Sequence, residues 1–228
     1  MAREKVYSSP ETALADVHHG ATLLIGGFAG LGVPRSLLKA LAAMNVRDLT
    51  CVFCPGVWPD SNGLTGIEEL VANGQVSKVV SPLPFPPGDG GVLEEQWRAG
   101  QLELEIIPQG TLAERLRAAG AGLGGIFLPA GVGTRFGEGK ESRKFGDQEC
   151  IFEAPLRADF ALLRGHAADT LGNLVYRGNG RNWGPVMAMA AEVTIAEVDR
   201  VYQPGGLDPE MVITPGIFIN RIVQTAGE

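Results

Sequence analysis

Four glycines fall within seven residues of the stretch "IGGFAGLG", at Gly26, Gly27, Gly30 and Gly32. Glycines at that density let a backbone approach a ligand closely and adopt positive φ. An apolar run, residues 21–25, precedes them, and a helical pattern, residues 34–44, follows. A strand–glycine–helix junction is where an open α/β sheet takes ligands, outside the carboxyl ends of its strands. Backbone amides at the helix start are then expected to face a negative charge. Two familiar phosphate motifs fail here. The dinucleotide fingerprint needs G-x-G-x-x-G, and this loop has the reverse spacing, with Asp48 before the next strand rather than after it. The P-loop needs Gly-Lys-Ser/Thr, which is absent. On the loop alone, a structural glycine turn stays open beside a ligand-binding one.

The other reactive residue types are sparse. Cys51 and Cys54 form a C-x-x-C, but inside the apolar, strand-like "DLTCVFCPG" rather than at a helix start, where a dipole would activate the first thiol. Zinc would need two more ligands, and neither a second C-x-x-C nor an H-x-H exists, so no metal site is expected. With Cys150 they read as buried, reduced thiols. Glu141, Arg143 and Lys144 lie in a polar stretch and read as a solvated face. Glu153 in "CIFEAP" is the glutamate with apolar flanks.

The elements that must position these groups alternate. Pro34 suits a first helical turn, and Leu37, Leu38, Leu41 and Met44 then share one face. Strands follow at 49–53, 76–80, 102–108 and 125–130, with helices at 66–74, 91–100 and 111–120, the last two stopped by Gly100 and Gly120. Short connections between them imply parallel strands covered on both faces. Residues from about 135 to 153 turn polar and read as a small inserted β-hairpin. Strands at 159–165, 172–178, 193–199 and 217–223 and a helix at 183–192 complete the pattern. The expected fold is α/β: one domain over 1–228, an open, mostly parallel sheet with helices on both faces and a small β excursion.

Composition limits the partners. Apolar residues make up 45% of the 228, enough for a sizeable core, and the net charge of −7 argues against nucleic acid and anionic membrane surfaces. No apolar run reaches the roughly 18 residues of a membrane span, and the first residues carry no apolar signal core, so a cytoplasmic protein is expected.

Four blocks of the sequence carry a resemblance. In "LLIGGFAGLGVPRSLLKAL", Gly26, Gly27, Phe28, Gly32 and Pro34 match an apolar triplet followed by G-G-F-x-x-x-G-x-P. The blocks "ELEIIPQGTLAERLRAAGAGLGGIFLPAGVGT", "EAPLRADFALLRGHAADTLGNLVYRGNGRNWGPVMAMAAE" and "LDPEMVITPGIFINRIV" extend the match over nearly the whole chain. It resembles the family I coenzyme A transferases, specifically the A (alpha) subunit of the two-subunit 3-oxoacid enzymes. The segment "RNWGPVMAMAA" and the C-terminal block resemble the 3-oxoadipate type. His19-Gly20 stands where the family has Asp-Gly or Asn-Gly, in a turn before the strand. The proline-rich segment 82–91 also departs, in a place that bears on the acyl pocket.

The resemblance implies a reaction and a division of labour. CoA moves from succinyl-CoA to a 3-oxo acid, with 3-oxoadipate preferred, through an anhydride and a glutamyl-CoA thioester. The nucleophilic glutamate belongs to an S-E-N-G motif on a B (beta) subunit. Here Asn62-Gly63, Asn73-Gly74 and Asn179-Gly180 occur, none after a glutamate, so the chain is expected to be inactive without that partner, in an α2β2 heterotetramer. Gln109 matches the family's oxyanion-donating glutamine and stands between a strand and a helix. Gly26, Gly27, Phe28, Ala29, Gly30, Leu31 and Gly32 are implied to touch the pantetheine or acyl group of the CoA thioester, a substrate rather than a resident cofactor. His166 ends a strand; the transfer requires no base, and it reads as structural. Arg181 and Asn182 hold the turn before a helix or meet the partner. The alternatives are one half of an acetoacetate or short-chain fatty acid transferase, a non-catalytic CoA- or sugar-phosphate-binding module, and a dinucleotide-dependent oxidoreductase.

Overall fold

The structure is a computed structural model in which residues 4–55, 66–85, 88 and 90–225 are described. Gly56, the Asn62 and Gly63 pair, and Pro86, Pro87 and Asp89 of the proline-rich segment lie outside them. In chain order the elements are β1 Val6–Tyr7, α1 Pro10–Ala13, β2 Thr22–Ile25, α2 Arg35–Ala42, β3 Leu49–Phe53, α3 Ile67–Ala72, β4 Val76–Ser81, α4 Gly91–Arg98, β5 Glu103–Ile106 and α5 Gln109–Gly120. Then follow β6 Ile126–Leu128, β7 Ser142–Phe145, β8 Gln148–Glu153, β9 Ala158–Asp169, β10 Leu174–Val175, α6 Gly184–Ala190, β11 Ala191–Tyr202 and β12 Arg221–Gln224.

Eight strands form a parallel path in the order β1-β12-β11-β9-β2-β3-β4-β5, and β10 adds antiparallel to β9. Their residues alternate between two cores. Leu23 and Ile25 of β2 point into one, with Leu37, Leu38 and Leu41 of α2, Ile67 and Leu70 of α3 and Leu93 of α4. Leu24 points into the other, with Leu112 and Leu116 of α5 and Met187 of α6. Helices therefore cover both faces, as the near-continuous apolar strands demand.

The winding fixes the place of the site. From β2 the chain runs outward through β3, β4 and β5. It then returns to lay β9 on the other side of β2 and winds outward the opposite way through β11 and β12. The gap between the carboxyl ends of β2 and β9 is thus the topological switch point, where two loops part in opposite directions and leave a crevice.

Several sequence expectations need correction. Residues 125–130 do not join the parallel sheet: β6 pairs antiparallel with β8, and β8 with β7, in a separate three-stranded sheet. The polar stretch is a hairpin as read, but its sheet borrows β6 from before it. Residues 217–223 are not one strand; Gly216–Phe218 is a 3-10 turn and only Arg221–Gln224 pairs. Helix α5 ends at Gly120 as read, but Gly120 is not its left-handed cap. A Cβ there would stand 2.5 Å from Met189 Cβ, so the glycine lets α5 and α6 touch. The turn out of α5 falls at Gly122, with φ +71°. The helix also begins two residues earlier than read, at Gln109, because Pro108 as N-cap presents its carbonyl to Leu112 N–H. Strand β1 and helix α1, the latter opened by a reciprocal Ser9–Thr12 capping box, have no counterpart in the sequence reading.

Candidate functional site

The loop Gly26, Gly27, Phe28, Ala29, Gly30, Leu31, Gly32 occupies the switch point. Gly26 N–H donates to Leu162 O of β9, bridging the two strands whose loops diverge. Phe28 and Leu31 exchange backbone hydrogen bonds, each 3.0 Å, and Ala29 N–H donates to Pro55 O after β3. The side chains of Phe28 and Leu31 are exposed. The loop packs on the 3-10 turn Gly178–Arg181. Gly32 has φ +69°, and a Cβ on it would meet Gly180 O at 2.5 Å, so both its conformation and its contact exclude a side chain. Asn182 fastens the two segments. Its Oδ1 accepts from Gly27 N–H at 3.2 Å and Trp183 N–H at 2.7 Å, and its Nδ2 donates to Leu31 O at 3.0 Å and Asn179 O at 2.9 Å.

The negative charge expected at the start of α2 is supplied by the protein itself. Glu197 of β11 is buried, and its carboxylate accepts from Leu37 N–H at 2.9 Å. That end of α2 is therefore closed to a ligand anion. Among the described residues, the loop amides that donate to no protein acceptor are those of Gly30 and Gly32.

Two pockets flank the loop. One, of about 310 Å³, lies between Gly32, Arg164, His166, Arg177 and Asp199. Arg164 binds Asp199 Oδ1 and lies 3.8 Å from Glu197 Oε1. His166 Nδ1 sits 2.8 Å from Asp199 Oδ2. Burial opposes the Asp199 charge, but the hydrogen bond from His166 and the Arg164 guanidinium outweigh it and hold its pKa below the usual carboxylate value. The other pocket, of about 460 Å³, is walled by Phe28, Ala29, Asn179 and Arg181.

Gln109 is exposed, in the first turn of α5, and its carboxamide has no protein partner among the described residues. It is not gathered against the glycine loop. Strand β5 stands three places from β2, roughly 14 Å at the usual strand spacing of about 4.8 Å. Both leave the same carboxyl edge of the parallel sheet. Glu153 is buried in the three-stranded sheet and bound to Lys140 at 2.5 Å, which removes it as a free nucleophile. Glu141 pairs with Arg143 on an exposed face, as read. Cys51 and Cys54 point into opposite cores of the sheet, so the C-x-x-C cannot close, and burial pushes both thiols up to about 12. Among the described residues, no three His, Cys, Asp or Glu side chains group to hold a metal ion, and no helix is long and apolar enough to cross a membrane.

Arg164, Glu197 and Asp199 were not singled out from sequence. The signal was there: charges two apart in the apolar strands "DFALLRGH" and "VTIAEVD" must fall on one face and need partners. The parallel register sets Arg164 beside Glu197 and, two steps on, His166 beside Asp199.

Known proteins resemble this chain in sequence and in fold. A family model described as coenzyme A transferase matches residues 7–225. A relative from Pseudomonas putida, named as the A subunit of 3-oxoadipate CoA-transferase, is 46% identical over 98% of this chain and 94% of its own length. The alpha subunit of the acetate CoA-transferase of Escherichia coli K12 is 42% identical over 90% of each. Among solved structures, an acyl-CoA transferase of Escherichia coli O157:H7, captured as a thioester complex with CoA, superposes with TM-score 0.82 at 21% identity. It covers 98% of this chain, which spans only 48% of that longer one. Glutaconate CoA-transferase from Acidaminococcus fermentans gives TM-score 0.82 at 18% identity, over 97% of this chain and 76% of its own. These two likenesses support the fold, and the closer sequence relatives support the role: the chain belongs to the coenzyme A transferase family, in which it is an A (alpha) subunit.

Proposed function

We propose that this chain is the A half of a two-subunit enzyme that moves CoA from succinyl-CoA to a 3-oxo acid, with 3-oxoadipate as the preferred acceptor. The observation that carries this reading is the 46% identity, across nearly the full length of both chains, to a protein named for 3-oxoadipate. The nucleophile comes from a B subunit bearing S-E-N-G. Around the glycine loop, the carboxylate lining the two pockets is that of Asp199, already held by Arg164 and His166, so an attacking glutamate has to enter from outside. That a related single chain is about twice as long fits a site completed by a second half.

In this reading the partner's glutamate attacks the thioester carbonyl at the carboxyl edge of the sheet. The acyl group passes to the glutamate as an anhydride and the CoA thiolate leaves. CoA then attacks the glutamyl carbonyl, releasing the first acid and leaving a glutamyl-CoA thioester, which the acceptor carboxylate resolves. Gln109, with its free carboxamide, donates to the oxyanion that forms at each addition. The loop from Gly26 to Gly32 lies along the pantetheine or acyl group, where Gly30 and Gly32 still have amides to offer. No metal or redox cofactor is required by these steps. The test is reconstitution. The chain alone should give no succinyl-CoA-dependent turnover. Adding the S-E-N-G partner should restore it, in a particle whose mass corresponds to two of each subunit, with kcat/KM higher for 3-oxoadipate than for acetoacetate. Turnover by the isolated chain sinks the divided site; a preference for acetoacetate moves the substrate to the short-chain alternative.

A further inference from the structure

We infer that the pocket between Gly32, His166 and Arg177 is an oxyanion subsite, and that it takes the second carboxylate of a dicarboxylic acyl group. The inference rests on the transferase reading above and adds to it the residues that choose the substrate.

The pocket is at the switch point and shares Leu31 and Gly32 with the glycine loop, so whatever occupies it is continuous with a ligand on that loop. Its charges are not equivalent. Asp199 has both oxygens engaged, one by Arg164 and one by His166. Arg164 is further engaged by Glu197 from below. These groups are satisfied among themselves. Two others are not. A carboxylate only accepts, so the contact with Asp199 makes His166 Nδ1 the donor. In the neutral ring Nε2 is then an acceptor, which leaves the Gly32 N–H and Arg177 as the free donors on this wall among the described residues. Arg177 stands at the N-terminal end of the turn Gly178–Arg181, and its guanidinium has no ion pair or hydrogen bond among the described residues. The unpaired Arg177 guanidinium and the Gly32 N–H, which donates to no protein acceptor among the described residues, lie on the wall of one small pocket and suit a single carboxylate, which accepts from both.

Size and kinetics narrow the occupant. A volume of about 310 Å³ is at the small end for ligand pockets and fits a short acyl chain. Succinyl and 3-oxoadipyl groups both end in a free carboxylate; acetoacetyl does not. In a ping-pong reaction the two acyl groups occupy the same place in turn, so one subsite serves donor and acceptor alike. A phosphate of CoA has the same recognition chemistry and is the competing source.

The experiment uses Arg177→Gln and Arg177→Ala in the complex with the B subunit, after confirming co-purification and an unchanged circular dichroism spectrum. In ping-pong kinetics, kcat/KM for the acceptor reports only the second half-reaction, so the succinyl donor does not confuse the result. For each variant kcat/KM for 3-oxoadipate should fall by about 10- to 100-fold, the size expected for losing a charged hydrogen bond, and far more than for acetoacetate. Arg177→Lys should retain part of the preference. Equal falls for both acids, or no fall, overturn the subsite. A loss that appears in KM for succinyl-CoA but vanishes with the 3′-dephospho thioester assigns the pocket to the phosphate and overturns the carboxylate. Wild type fixes the remaining ambiguity. If it does not prefer 3-oxoadipate, the substrate reading fails before any variant is made. If it does and the variants keep that preference, the subsite alone fails.

Discussion

Two side-chain amides near the carboxyl edge have opposite fates. Asn182 has both donors and both acceptor positions occupied by Leu31, Asn179, Gly27 and Trp183, so it is a fastener with nothing left for a substrate. Gln109 has no protein partner among the described residues and stands in solvent. Replacing it with alanine should therefore cost less than about 0.5 kcal/mol of stability, as for exposed positions generally. In catalysis the same change should cost on the order of 10²-fold in kcat, with a smaller effect on KM, because the donor acts on charge that exists only in the transition state. Steady-state kinetics on the reconstituted complex, beside a thermal melt, separate the two effects. A kcat within about twofold of wild type would leave Gln109 as a turn residue and shift the oxyanion to the loop amides of Gly30 and Gly32.

At the scale of elements, glycine did two jobs that look alike in sequence. Gly100 and Gly122 close helices in a left-handed conformation, with φ +72° and +71°. Gly120 instead removes a side chain from the contact of α5 with Met189. Gly120→Ala should improve helix propensity yet destabilise the protein by about 1–3 kcal/mol, since the contact is backbone-close and cannot yield cheaply. A chemical denaturation midpoint lower than wild type is the expected result; a higher one would mean α6 shifts freely. The same distinction explains what was legible. Strands β2, β3, β4 and β5 and the helices between them were readable because each strand meets a glycine or proline within two residues of its end and is followed by a 3.6-residue pattern. Strand β6 carried the same local signal, and only its pairing with β8 places it in another sheet, which is a long-range fact. Strand β1 has two residues and owes its existence to β12 at the far end of the chain. The site divided the same way. The glycine loop announced itself by composition. Asp199, Glu197 and Arg164 needed the register of β9 on β11 before their charges met.

The whole molecule is closed by contacts between distant parts of the chain. Lys5 Nζ donates to Gly216 O at 2.7 Å, and Arg221 holds both oxygens of Asp16 at 2.5 Å each. The glycine loop follows the same plan, for Gly27 and its fastener Asn182 are 155 positions apart. This spacing sets a timetable on the ribosome. The loop is polymerised early, and at roughly 5–20 residues per second the asparagine arrives roughly 8–30 s later. Until then the exposed Phe28 and Leu31 belong to an untied segment. Asn182→Ala in the full chain should let chymotrypsin cut within residues 26–32, while the wild type resists there; equal resistance would show that β3 and Pro55 suffice to hold the loop. In a cell, chaperones would then have a window in which this loop is open to them.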